Sequence, residues 1–235
     1  MKLIHVKQAR SVWLFDLQDL NPKGKDVLED LVDWIKDTYA FAVAPDLEQA
    51  LPPPTKDGVS TLSPSGLTFQ RGRYQVREDS FIEIVSLTLY NDGIVIDTTS
   101  STQEADQFAA DLLSRASREF MLAYEPDMIR KHLYISSLIV RSDVSLNAFN
   151  PKLAAFAERI SGALGNGGNP TSRFQFAGLG FWSEPNDNGV HKTFSFFPQV
   201  GKTFAEHRFY SEAPLKTEDH LRLLEELEVI LAKPS

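Results

Sequence analysis

No cysteine occurs in the 235 residues. That excludes a disulfide scaffold, a thiol nucleophile, an iron–sulfur cluster and any zinc site built on thiolates. Long hydrophobic runs are missing too: no stretch approaches the roughly 20 apolar residues that a helical bilayer span needs. The first residues, MKLIHVKQAR, scatter their basic side chains through a weakly apolar run. A secretory signal has them ahead of a continuous apolar core, so a cytoplasmic protein is expected. Basic charge is also short. Residues 1–125 carry 12 Lys/Arg against 20 Asp/Glu, and residues 126–235 balance at 12 each. The acidic half repels phosphate backbones and no basic cluster compensates, so nucleic acid is a disfavoured partner.

What is present is a full globular complement, 42% hydrophobic with 25 aromatic residues. It is long enough to bury one large core or two small ones. A strand is expected at Ser11–Leu17, and a helix from Asp26 to Tyr39 follows from Val27, Leu28, Leu31, Val32 and Ile35 at helical spacing. Residues 43–66, with Pro52-Pro53-Pro54 and Ser63-Pro64-Ser65-Gly66, read as a long exposed loop. Three strands come next, at 67–76, 81–90 and 94–99, with Asn91-Asp92-Gly93 as the turn between the last two. Ser101 and Glu104 match a capping box at the head of an amphipathic helix ending near Phe120. After Glu125-Pro126-Asp127 the order recurs: a strand at 133–141, a helix from Pro151 to about Leu164, strands at 174–183, 191–198 and 204–211, and a helix over 217–232.

Both parts therefore read β-α-β-β-β-α, and the expected fold is α+β. Two similar halves, 1–125 and 126–235, form antiparallel sheet with helices on one face, as separate halves or as one continuous domain. The opposite, open face is the natural place to bind something.

Catalytic signals are sparse. Gly165, Gly167 and Gly168 follow a helix and precede a strand, the reverse of a phosphate cradle. No G-x-S-x-G elbow and no H-E-x-x-H is present, so neither metal nor cofactor is implied. The tetrapeptide His191-Lys192-Thr193-Phe194 resembles half of the paired H-x-T motif of the 2H phosphoesterases. There one imidazole serves as base and the other as acid while the hydroxyls hold phosphate. That resemblance would make His191, Thr193 and a second histidine, His132, catalytic, although His132-Leu133-Tyr134 has no Ser or Thr hydroxyl at its third position.

Aromatic residues are concentrated: ten of the 25 fall within 174–210. Strand alternation sorts them. Phe174, Phe176 and Trp182, with Gly178 and Gly180, are assigned to the helix-covered core together with Phe194 and Phe196. The open face then receives Arg173, Gln175, Phe181, His191, Thr193, Ser195, Glu206, Arg208 and Tyr210, joined by His132, Tyr134 and Ser136 from the neighbouring strand. Aromatic, cationic and hydroxyl groups in one surface suit recognition. The expected function is a non-enzymatic interaction module, a subunit of a bacterial multiprotein system, with Arg173, Phe181, His191, Arg208, Tyr134 and Tyr210 as binding residues. Another protein is the expected partner, a second copy of the chain included. The alternative is a phosphoester hydrolase centred on His191, with His132 or His207 as its second imidazole.

Overall fold

The computed structural model describes residues 1–50, 62–148, 150–165, 173–185 and 192–233. It is an α+β protein with eight strands in one antiparallel sheet, in the order β2-β3-β4-β1-β5-β8-β7-β6. The strands are β1 (Lys2–Leu14), β2 (Leu67–Arg77), β3 (Ser80–Tyr90), β4 (Gly93–Thr98), β5 (Lys131–Arg141), β6 (Leu179–Trp182), β7 (Thr193–Pro198) and β8 (Arg208–Ala213). The helices are α1 (Leu17–Leu20), α2 (Leu28–Thr38), α3 (Leu47–Ala50), α4 (Thr102–Phe120), α5 (Pro151–Gly165) and α6 (Thr217–Ala232). Among the described residues no helix is long and apolar enough to cross a membrane.

Packing divides the chain into two compact units. One comprises residues 8–136 with 215–217, and the other residues 1–7, 137–214 and 218–235. In the first, alternate residues of β1 to β4 (Trp13, Phe69, Ile84, Leu87, Ile94 and Ile96 among them) meet Val32 and Ile35 of α2 and Ala105, Phe108 and Leu112 of α4. The period-two pattern on the strands and the period-3.6 stripe on the helices turn one apolar face of each toward the same core. Helix α4 begins where the capping box predicts: Ser101 Oγ accepts the Glu104 N–H at 3.2 Å. It ends at Met121 in the left-handed region, with the Lys25 ammonium on the Phe120 and Met121 carbonyls. The β3–β4 turn requires Gly93, at φ 149°, because a Cβ there would stand 2.1 Å from the Trp13 carbonyl oxygen. Thr102 and Thr217 exchange bonds, each N–H donating to the other's Oγ1 at 3.0 and 2.9 Å.

The second unit is built on Leu138, Val140, Leu146, Phe196, Phe209, Leu224 and Leu231. Phe196 and Phe209 stack at 4.4 Å. His220, fully buried on α6, meets Ser211 Oγ at 2.8 Å and the Phe194 ring at 5.7 Å between centroids. These contacts identify the side of β7 and β8 that faces α6.

Several elements differ from expectation. Strand β1 starts at Lys2 rather than Ser11, since Lys2–His5 are exposed on both faces and give no apolar alternation to read. The strand expected at 174–183 is confined to β6. Ahead of it, Phe174 N–H donates to Ser161 Oγ at 2.8 Å and Phe176 N–H to Asn147 Oδ1 at 3.2 Å, so side chains take donors that a ladder would use. The strand expected at 204–211 splits into a single 3₁₀ turn, Phe204–Glu206, a left-handed His207 and then β8. The expected loop at 43–66 contains the single turn of α3, and its residues 51–61 lie outside the described residues.

Candidate functional site

Directly opposite residues of an antiparallel pair point to the same face. In β6 and β7, Leu179 faces Phe196 and Phe181 faces Phe194, while Gly180 faces Ser195 and Trp182 faces Thr193. In β7 and β8, Phe196 faces Ser211, Ser195 faces Glu212 and Phe197 faces Tyr210. Phe194, Phe196 and Ser211 belong to the α6 side. Gly180, Trp182, Thr193, Ser195, Phe197, Tyr210 and Glu212 therefore share the open face of this unit.

This reverses two assignments made from the sequence. Phe181 lies on the face of Phe194, its ring centroid 5.9 Å away, although 57% of it is exposed. Trp182 is on the open face and 68% exposed, beside Phe197 at 44%. The glycines explain the inversion. A Cβ on Gly178 would stand 2.2 Å from the Phe197 ring, and one on Gly180 would stand 2.8 Å from the Trp182 ring. Glycine lets both rings lie against the backbone on the open side, whereas the sequence reading assigned both glycines to the helix-covered core. Phe174, also assigned to the core, is exposed, while Phe176 packs against the core.

Polar groups border these rings. Glu212 Oε2 accepts the Tyr210 hydroxyl at 2.6 Å and the Ser137 hydroxyl at 2.9 Å. Burial, then the carboxylate beside it, push the Tyr210 phenol up from its ordinary value, so it stays a neutral donor. Arg208, partly exposed, has its Nε 4.0 Å from Glu206 Oε2. Arg173 is exposed in the irregular segment before β6. Thr193 is exposed at the start of β7, and His191 lies outside the described residues.

His132 and Tyr134 are placed elsewhere, in the first unit and toward α4 rather than on an open face. The Tyr134 hydroxyl donates to Asp106 Oδ2 at 3.0 Å, and Trp13 Nε1 donates to Asp106 Oδ1 at 2.8 Å. Burial and this carboxylate raise the Tyr134 pKa. His132 sits edge-on to Trp13 with centroids 4.7 Å apart, and the Lys216 ammonium lies 5.1 Å over the Tyr134 ring. Ser136, expected on the open face, is fully buried. The reason is common to all three: residues of one parity on β5 follow Tyr134 toward its acceptor on α4. The sequence signal for this was available, since a tyrosine among apolar neighbours needs an acceptor and Asp106 lies on the amphipathic helix.

A polar cluster that the sequence reading missed lies on the opposite side of the first unit's sheet from Trp13. Asp97 accepts Arg10 Nε at Oδ1 and Arg10 Nη2 at Oδ2, both at 2.8 Å, and also Gln8 Nε2 at 2.9 Å and Ser86 Oγ at 3.2 Å. Its desolvation is outweighed by these bonds, and its pKa is held below the ordinary value. No spacing rule joins residues 8, 10, 86 and 97, which only strand register brings together.

Among the described residues no group of three or more His, Asp or Glu side chains is arranged to hold a metal ion. No family model matches the chain, and no curated protein matches it in sequence.

Proposed function

We propose that the chain is an internally duplicated binding module that recognises a protein partner through the open face of β6, β7 and β8. The observation that carries this reading is the pair of exposed rings, Trp182 and Phe197, held side by side on the sheet face away from α6 and seated on Gly178 and Gly180. Large aromatic side chains left in water forgo burial worth about 2–3 kcal/mol each, and at interfaces such residues carry most of the binding energy. Tyr210, Thr193 and Arg208 give this patch the polar margin that recognition surfaces use.

The duplication is supported by strand order within each half: second, third, fourth, first in both, as β2-β3-β4-β1 and β6-β7-β8-β5. Asp97 and Glu212 stand at equivalent places. Each precedes by five residues the threonine that opens the half's last long helix, Thr102 or Thr217, and each faces a serine, Ser86 or Ser195, on the preceding strand.

The test is affinity purification from cells of the source organism with the tagged chain and its Trp182→Ala and Phe197→Ala variants. Proteins retained by the wild type and lost by both variants, at an unchanged thermal midpoint, are the expected result. Identical retention by all three would sink the proposal.

A further inference from the structure

The two equivalent carboxylates differ in what neutralises them. Asp97 receives a guanidinium, two parallel bonds from Arg10, which stands opposite it on β1. Glu212 receives only hydroxyls, from Ser137 on β5 and from Tyr210, and both bonds fall on Oε2. Among the described residues no Lys, Arg or His comes within 4.0 Å of Glu212, and no donor reaches its Oε1. The carboxylate is half-buried, and its Oε1 stays open to solvent. On the same face stand Tyr210, Phe197 and Trp182.

We propose that Glu212 is the receptor for an arginine side chain of the protein partner, which supplies from outside the cation that Arg10 supplies to Asp97 from within. The inference rests on the recognition face proposed above and gives its partner a chemistry. A guanidinium suits the place better than an ammonium. It is planar and weakly hydrated, it lies flat on an aromatic face, and its edge still presents N–H donors to Oε1. Charge balances over residues 126–235, so the attraction for such a partner is that of the Glu212 carboxylate itself.

The probe is an amidated tetra-arginine peptide at physiological salt, followed through the indole N–H signals of the three tryptophans. A saturable shift of the Trp182 signal is expected, with tetra-lysine binding more weakly. Glu212→Gln should weaken tetra-arginine about tenfold, a moderate loss for one partner of a charge pair. Glu184→Gln, at an exposed carboxylate two residues after Trp182, should change nothing. In the wild-type chain, proton contacts between the arginine methylenes and the Trp182 and Phe197 rings should appear at saturation, a reading that needs no variant. Absence of those contacts, or an unchanged titration in Glu212→Gln, overturns the assignment. If tetra-arginine fails while Trp182→Ala still loses a partner, the arginine assignment falls and the recognition face stands. Tetra-arginine binding with no partner lost does the reverse.

Discussion

Removing the Arg10 guanidinium probes the Arg10–Asp97 pair by leaving a carboxylate with two of its four bonds. Asp97 is 12% exposed at the side chain and Arg10 37%. Charge-assisted hydrogen bonds contribute about 1.5–3 kcal/mol each, and breaking a fully buried pair from one side costs about 3–5 kcal/mol. Arg10 is open enough for water to enter its place, and Gln8 and Ser86 still donate. We therefore expect Arg10→Met to cost about 2 kcal/mol in urea denaturation near neutral pH. The pH dependence follows in sign. Asp97 has a folded-state pKa below its unfolded value, so the pair's stabilisation is complete above about pH 4, the ordinary carboxylate value, and is lost as pH falls through the folded-state value. The penalty of Arg10→Met should accordingly shrink in acid. Arg10→Met with Asp97→Asn should recover part of the loss, because the buried charge is gone. A penalty below about 0.5 kcal/mol, or one that stays constant into acid, would refute the reasoning, since such a pair would behave as an ordinary surface ion pair.

Other outcomes are equally specific. Phe108→Ala, at a fully buried ring edge-on to Tyr39 with centroids 4.9 Å apart, should cost about 3–5 kcal/mol by calorimetry or urea titration. Phe81→Ala, where 62% of the side chain is exposed, should stay within about 0.5 kcal/mol. Thr102→Ala and Thr217→Ala should each cost about 1–2 kcal/mol, and the double variant less than the sum, since each removes an acceptor from the same reciprocal contact. Gly93→Ala should lose about 2 kcal/mol or more, its Cβ meeting the Trp13 carbonyl in a backbone conformation that only glycine adopts readily.

The parts of the fold legible in the sequence are those set by neighbours along the chain. Helix α4 declares itself through Ser101, Glu104 and an unbroken apolar stripe, and the β3–β4 hairpin through Asn91-Asp92-Gly93. Both depend on interactions spanning a few residues. What was lost depends on distant partners. The extent of β6 is set by Ser161 and Asn147 taking the N–H groups of Phe174 and Phe176. The face of Tyr134 is set by Asp106, 28 residues away. The placement of Trp182 failed for a different reason: strand alternation groups it with Phe174 and Phe176, and that face was joined to Phe194 and Phe196, whereas register sets Trp182 opposite Thr193 and Gly180 makes room for its ring outside. Part of the candidate surface was therefore legible, in Arg208, Tyr210 and Thr193. Its most exposed ring was assigned to the wrong side, and Glu212 was not singled out.

Photo-crosslinking tests the recognition surface most directly. A benzophenone amino acid placed at Phe197, and separately at Phe81 as an exposed aromatic of the other unit, is irradiated in cells of the source organism. The account predicts a discrete crosslinked protein from position 197 that Trp182→Ala abolishes, and none from position 81. Equal products from both positions, or a product from position 81 alone, would contradict it.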